Sequence, residues 1–326
     1  MTAASLAQSS VAPPSVLTFG ETMALMCAND TGPLQHNSPM TLRVGGAESN
    51  VAIALARLGT AVTWLGRVGS DSLGDLVVRE LRSEGVNVVD IRVSDAATGL
   101  MVKERRTPER TNVWYYRAGS AGSQLEPADI DSSLVAAATI LHVTGITPAL
   151  SPSAAEATRE AIRIARAAGV TVSFDLNYRS RLWSMESARE TYLQIIPEAD
   201  IVFAGDDEAA IVVGSSNRPL ELAQRLIDCG AGAAIVKLGE RGAVAVVEGQ
   251  QYERAAVRVT AIDTVGAGDG FVAGYLAEQL RGETVPTRLT TAVSVGAFAC
   301  QVPGDWEGMP TRAELARLTG GEPVSR

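Results

Sequence analysis

Short apolar runs alternate along the chain with stretches in which apolar positions recur every three or four residues. The runs VLTFG (16–20), TWLGRV (63–68), TILHVTG (139–145), VTVSFDLN (170–177), ADIVFA (199–204) and AAIVKLG (233–239) read as buried strands, with a further strand over 86–93. AESNVAIALARL (47–58) reads as a helix, with Val51, Leu55 and Leu58 on one stripe and Gly59 as its stop. Further helices are predicted over 72–84, 151–168, 186–196, 218–229, 269–281 and 286–301. Strand–helix alternation of this kind predicts an α/β fold: a mostly parallel sheet with helices on both faces.

Two stretches, 22–44 and 98–118, lack helical periodicity and read as extended. The second reads as a hairpin, with strands TGLMVKERR and TNVWYYRAG joined by the turn TPER. Together they predict a small β appendage over one edge of the main sheet. Strand alternation places Val113, Tyr115 and Arg117 on one face of the hairpin and Trp114 and Tyr116 on the other. A phenol and a guanidinium on one face suit a sugar carboxylate or hydroxyls, because an Arg fork can grip a carboxylate with two bonds. An exposed Arg beside a packing Tyr is the other reading.

The length of 326 residues fits one large α/β unit with a small appendage. Residues 1–14, rich in Ala, Ser, Thr and Pro, read as a loose tail before a domain over 15–326. They lack the basic start and apolar run of a secretion signal. No apolar run is long enough to span a bilayer. A formal net charge of −9 makes nucleic acid and anionic membrane poor general partners. The three cysteines, Cys27, Cys229 and Cys300, are scattered and form no disulfide framework or metal knuckle. A reducing, cytoplasmic setting is expected. Only His36 and His142 are available, which argues against a His-based metal site or a Ser/His/Asp triad. His142 lies inside an apolar strand and reads as a hydrogen-bonded core residue.

The densest chemistry lies in AIDTVGAGDGFVAGYLAEQL (261–280). Gly266, Gly268 and Gly270 sit in a short loop that runs into an amphipathic helix. Glycines let backbone N–H groups approach an anion, and a helix N-terminus carries partial positive charge. The segment is neither a Walker A loop nor a Rossmann fingerprint, because its spacing is GAGDGF. Asp269 within such a loop would repel phosphate unless it had a task, and a base beside a reacting hydroxyl is one. A helix N-cap is the other. RVGGAESN (43–50) offers Gly45 and Gly46 for close backbone approach, with Asn50 as a polar contact, or is a plain helix entry. SFDLNYRSRLW (173–183) puts Asp175, Asn177 and Arg179 at the C-terminal end of a strand, the edge where open α/β sheets bind ligands. VKLGERGA (236–243) grips a nucleotide or forms an ordinary hairpin.

GGAESNVAIALARLG followed by GRVGSDSLGD resembles the N-terminal signature of the ribokinase-like (phosphofructokinase-B-type) sugar kinases, and DTVGAGDGFVAG resembles their C-terminal signature. The resemblance covers about residues 15–318. It implies a three-layer α/β/α sandwich with a small β lid, and phosphoryl transfer from ATP with Mg²⁺ and, in some members, a monovalent cation. It casts Asp269 as the base, and the N–H groups around Gly266, Ala267 and Gly268 as the anion hole. Asn177, Lys237, Gly239 and Gly242, with Gly266 and Gly268, then belong to the nucleotide side, and Gly46 and Asn50 to the sugar-contacting turn. YYRAGSAGSQL, FDLNYRSRLW and GDWEGMP resemble 2-keto-3-deoxygluconate kinases, which adds Tyr115, Arg117, Arg179 and Asp305 around an acid sugar. The family's NxxE motif departs here to FAGDDEA: Gly205 stands where Asn is usual, and Glu208 remains as the metal-side carboxylate, acting directly or through water. An exposed lid sheet invites a homo-oligomer.

Overall fold

A computed structural model describes residues 15–36, 39–107 and 110–318. The proposed tail over 1–14 lies outside these residues, as do 108–109 of the expected TPER turn. The first half of the chain contains β1 (Ser15–Phe19), β2 (Met23–Ala28), β3 (Met40–Gly45), α1 (Ala47–Arg57), β4 (Ala61–Gly69), α2 (Ser72–Ser83), β5 (Asn87–Val93), β6 (Leu100–Thr107) and β7 (Arg110–Tyr116). There follow α3 (Ser132–Ala137), β8 (Ile140–Thr144), α4 (Thr147–Leu150), α5 (Pro152–Ala168), β9 (Thr171–Asp175), α6 (Met185–Ile195), β10 (Ile201–Gly205), α7 (Asp206–Val213) and α8 (Pro219–Asp228). The last third holds β11 (Ala233–Lys237), β12 (Ala243–Val247), β13 (Gln250–Arg254), α9 (Ala267–Leu280), α10 (Val285–Ala299) and α11 (Arg312–Leu318).

The main sheet has nine strands in the order β13-β12-β11-β10-β9-β8-β1-β4-β5. It is parallel from β11 to β5, and β12 and β13 close it as an antiparallel edge. Both faces are apolar because successive strand residues point to opposite sides. Ile201 and Phe203 join one core with α1, α2, α9 and α10, while Val202 and Ala204 join the other with α5, α6 and α8. The expected α/β/α layering is therefore present. His142 is fully buried in β8, and its Nδ1 lies 3.0 Å from Ser173 Oγ, as a core histidine should.

Local signals explain the element ends. Helix α5 starts where the Ser151 side chain accepts from the Ala154 N–H, with Pro152 in its first turn, and it stops at Gly169 in the left-handed region. The two helix-poor inserts supply β3, β2, β6 and β7, which pair in that order as a second, four-stranded sheet. β6 and β7 form the expected hairpin, and β2 joins the two inserts by pairing parallel to β6. The alternation read from the hairpin shows only in part: Val113 packs with Met101 on the inner face, but Trp114, Tyr115 and Tyr116 are all exposed, Tyr115 the least of the three.

Several elements were not expected. α3, α4, α7 and α11 are too short to show a full apolar period, and β12–β13 form a hairpin whose outer strand is polar. The helix expected from 269 begins two residues earlier, at Ala267. That shift changes the reading of Asp269.

Phe203 is fully buried and meets Tyr275 and Phe271 of α9 edge-on, with ring centroids 5.3 and 6.4 Å away. Phe203→Ala should cost about 3–5 kcal/mol of stability, the usual cost of a large-to-small change in a closed core. Urea unfolding checks this. A loss below about 1 kcal/mol would show that α9 is seated by other contacts.

Candidate active site

The strand order reverses between β1 and β8, and the C-terminal ends of the parallel strands there form a crevice, as open α/β sheets require. β1 delivers Glu21, β9 delivers Asp175 and Asn177, β10 delivers Gly205 to Glu208, and β11 delivers Lys237. The inner face of the four-stranded sheet covers this edge, with Tyr115 and Met101 lining the space between.

Asp269 lies at the centre. Gly266 is the N-cap of α9, with φ 77°, and a side chain on it would collide with the Asp305 carbonyl oxygen. Only glycine meets both demands. Ala267, Gly268 and Asp269 form the first turn, whose N–H groups have no partner within an α-helix. Asp269 is the third helical residue and makes no capping bond, so the N-cap reading fails. Instead its carboxylate is held by two amides. Asn50 Nδ2 of α1 donates to Oδ2 at 2.8 Å, and Asn177 Nδ2 donates to Oδ1 at 3.3 Å. Asn177 adopts φ 39°, a left-handed conformation that Asn tolerates better than most residues. Burial pushes the Asp269 carboxyl up to about 7, against the Asn50 hydrogen bond and the Arg179 charge.

Three cations of the crevice are already paired. Lys237 Nζ lies 2.8 Å from both oxygens of Asp175. Burial alone would lower the pKa of this lysine, but the Asp175 and Glu208 carboxylates outweigh it and hold the pKa above the ordinary range. Arg117 Nε donates to Glu21 Oε2 at 2.7 Å, and its guanidinium lies over the Tyr115 ring. Lys103 meets Asp305 at 2.6 Å. Arg179 and Arg181 differ: they donate to the Tyr178 and Val113 carbonyls, and among the described residues no carboxylate pairs with either.

Two cavities meet here. The larger, of about 1060 Å³, is lined by Gly46, Asn50, Tyr115, Arg117, Arg179, Gly266, Asp269 and Asp305. The smaller, of about 480 Å³, is lined by Asn177, Glu208, Lys237, Gly239, Gly266, Gly268 and Asp269. Arg179, Gly266, Asp269 and Asp305 border both, so Asp269 stands at the junction. Ala267, between Gly266 and Gly268 in the first turn of α9, borders neither cavity. Gly242 borders neither cavity. Its φ of 102° and its contact with the Arg254 carbonyl make it a requirement of the β11–β12 turn.

Glu208 spends both oxygens on backbone: Oε2 accepts from the Gly205 N–H at 2.6 Å, and Oε1 from the Tyr178 N–H at 3.0 Å. Among the described residues no three His, Cys, Asp or Glu side chains are grouped to hold a metal ion. Exposed Asp207 stands beside Glu208, and a side chain on Gly205 would begin 2.6 Å from Asp207 Oδ1. The small residue thus keeps this wall open. Sequence reasoning missed Glu21, Lys103 and the Asp175–Lys237 pair. Glu21 carried a signal, because it directly follows a parallel strand. Lys103 carried a weaker one, as a charge two residues from the apolar Met101 on the same strand face.

A carboxyl whose folded pKa is raised favours the fold fully below its unfolded pKa and loses that contribution as pH rises through the folded value. Here the window runs from the ordinary carboxylate range up to about 7. The melting temperature of Asp269→Asn, relative to the unchanged protein, should therefore climb as pH rises through this window and then level off. Thermal melts at several pH values check this. A constant difference would mean that the carboxyl is not perturbed.

The family model described as pfkB family carbohydrate kinase matches residues 13–312. The 2-dehydro-3-deoxygluconokinase of Bacillus subtilis (strain 168) is 38% identical over 316 residues, covering 94% of this chain and 95% of the relative. The 2-dehydro-3-deoxygalactonokinase of Haloferax volcanii is 35% identical, covering 94% of this chain and 97% of the relative. The crystal structure of a PfkB protein from Polaromonas sp. JS666 superposes with a TM-score of 0.85 at 37% identity, covering 93% of this chain and 99% of that one. This chain belongs to the pfkB family of carbohydrate kinases, and its chemistry is the ATP-dependent phosphorylation of a sugar.

Proposed function

We propose that this kinase phosphorylates 2-keto-3-deoxygluconate on its terminal hydroxyl, giving the 6-phosphate, with Asp269 as the base. The observation that carries the reading is the buried, amide-held carboxylate at the junction of the two cavities. The larger cavity suits the sugar acid and the smaller one the nucleotide phosphates. The names of the two relatives support a 2-keto-3-deoxy acid as the acceptor.

The sugar acid lies under the lid, between Gly46, Tyr115, Arg117, Arg179 and Asp305. Arg117 is neutralised by Glu21, so it acts as a directional donor to sugar oxygens. Arg179 brings net charge and is the better partner for the carboxylate. Asn50 and Asn177 hold Asp269 with an oxygen toward the terminal hydroxyl. Asp269 takes the proton as the hydroxyl oxygen bonds to the γ-phosphorus. The bond from that phosphorus to the bridging oxygen breaks, and ADP keeps the electron pair. The N–H groups around Gly266, Ala267 and Gly268, with Lys237 beside them, face the charge that spreads over the transferring group. Asn177, Lys237 and Gly239 line the nucleotide side, and Gly242 shapes the turn that carries it.

A divalent cation such as Mg²⁺ fits this donor set as a passenger on the nucleotide. Such an ion keeps its waters and takes one or two carboxylates plus phosphate oxygens. Asp207 offers a free carboxylate oxygen, and Glu208, engaged by two amides, is suited to contact through water. When bound, the ion supplies charge neutralisation of the phosphates.

ADP release with a panel of sugars tests the assignment. 2-Keto-3-deoxygluconate should give a far higher kcat/KM than fructose, ribose or 5-keto-2-deoxygluconate. Arg179→Ala should raise KM for the acid by roughly 10- to 150-fold, the worth of a charge-assisted contact of about 1.5–3 kcal/mol. Any neutral sugar accepted should suffer much less. Equal losses would mean that Arg179 shapes the cavity instead of reading the carboxylate. A preference for fructose or ribose would reject the acid-sugar assignment and leave the kinase assignment standing.

A further inference from the structure

Lys103 is a charged residue on an apolar surface. It lies on β6, in register with Cys27 of β2 and Val113 of β7, among inner-face neighbours that include Met101 and Leu25. Its side chain is 8% exposed and leaves the small sheet altogether. Nζ reaches Asp305 Oδ1 at 2.6 Å and Asp263 Oδ2 at 3.5 Å, both on the body of the protein. A buried ion pair is weak evidence for stability, because apolar residues of similar volume often serve as well. Its placement therefore calls for another explanation.

Both carboxylates brace the loop that enters α9. The Asp305 carbonyl oxygen occupies the space where a side chain on Gly266 would stand. Asp305 Oδ2 lies 2.5 Å from where a side chain on Gly45 of β3 would begin. Asp305 is thus clamped between the lid and the α9 entry loop. Asp263 Oδ1 accepts from the Val265 N–H at 3.1 Å, and its Oδ2 accepts from the Gly304 N–H at 3.3 Å. Asp263 therefore ties the 263–268 loop to the loop that carries Asp305. A second lid residue follows the same path: Arg43 donates to Glu307 Oε1 at 2.8 Å and to the Pro303 carbonyl at 2.9 Å. One lid ammonium thus lies at the point where three segments meet.

We propose that Lys103 is a positioning residue for phosphoryl transfer, which holds Asp305 and Asp263 together and so sets the backbone of residues 263–268 only while the lid is closed. Lifting the lid withdraws the ammonium with β6 and leaves two carboxylates facing each other. The loop then relaxes, and the N–H groups around Gly266 to Gly268 lose their aim. Closure both excludes water and completes the site, with Lys103 as the lid group that meets both carboxylates. The inference rests on the proposed role of that loop toward the transferring phosphoryl group.

Amide hydrogen exchange and steady-state kinetics on the full chain test it together. Lys103→Met should speed exchange in peptides covering 263–268 and 303–308, while exchange later in α9 stays unchanged. It should lower kcat by about 10²-fold, the cost of a reacting geometry displaced by about 1 Å, with ATP affinity near that of the unchanged protein. Lys103→Arg, which keeps the charge, should recover part of kcat. The double variant Lys103→Met with Asp305→Asn removes the buried charge that the single change strands, so it should recover melting temperature; because Asp305 also borders the sugar cavity, kcat is read at saturating sugar and should stay low. It carries the same readouts if the single variant fails to fold. Recovery of kcat in the double variant would overturn the proposal, since the loss would then have come from an uncompensated Asp305. Unchanged loop exchange in Lys103→Met, alongside an inactive Asp269→Asn, would reject the proposal alone. Faster exchange with unchanged kcat would reject the role of the loop in transfer and the proposal with it.

Discussion

The crevice is organised around one carboxylate kept out of water. Asp269 must sit beside helix N–H groups suited to an anion, and it must also accept and release a proton. Burial disfavours its charge, while two amide donors, a helix N-terminus and a nearby guanidinium favour it. Burial prevails and carries the carboxyl up to about 7. The donors come from distant parts of the chain: Asn50 is 219 residues away and Asn177 is 92. The parallel sheet brings them together, since α1, the end of β9 and the start of α9 all converge on its C-terminal edge. The strained backbone of Asn177 and the crowded Gly266 are local consequences of that convergence.

The same economy governs the cations. An acidic chain that handles anionic ligands must place positive charge locally, and bare cations in a partly dry crevice cost desolvation. Here Lys237, Arg117 and Lys103 are each held by a carboxylate, respectively Asp175, Glu21 and Asp305. Pairing fixes their positions before any ligand arrives, which is the condition for electrostatic catalysis. It also makes most of them donors with direction instead of sources of net charge. Arg179 and Arg181, which line the larger cavity without a carboxylate partner among the described residues, are able to meet the charge of an acid substrate, and of the two Arg179 also borders the smaller cavity.

Much of this could be read from the sequence, for definable reasons. Most strands of the main sheet are buried on both faces and appear as continuous apolar runs, and α2, α5 and α8 show a full apolar period, whereas α9 is buried on nearly every side. The GAGD loop announced itself because glycines crowded before an apolar helix have few other uses. Asp269 could be proposed as a base, but only the start of α9 at Ala267 separated that role from a cap. The short helices and the polar edge strand β13 gave too few residues for periodicity to register. The charge pairs were hidden for a different reason: Lys103 and Asp305 are 202 residues apart, and nothing local in either segment marks the other as its partner. Glu208 shows what the sequence leaves out: both of its oxygens accept from backbone N–H groups, which favours contact with an ion through water.

The pH dependence of kcat/KM tests the central claim most directly, because it reads the protonation state of the free enzyme's base. If Asp269 is that base, activity with the acid sugar should be level above its folded pKa of about 7 and fall about tenfold per pH unit below it. Asp269→Asn should be about 10²- to 10⁴-fold slower and should lose that inflection. A profile that stays level down to the ordinary carboxylate range, or an Asn variant that keeps both rate and inflection, would contradict the account.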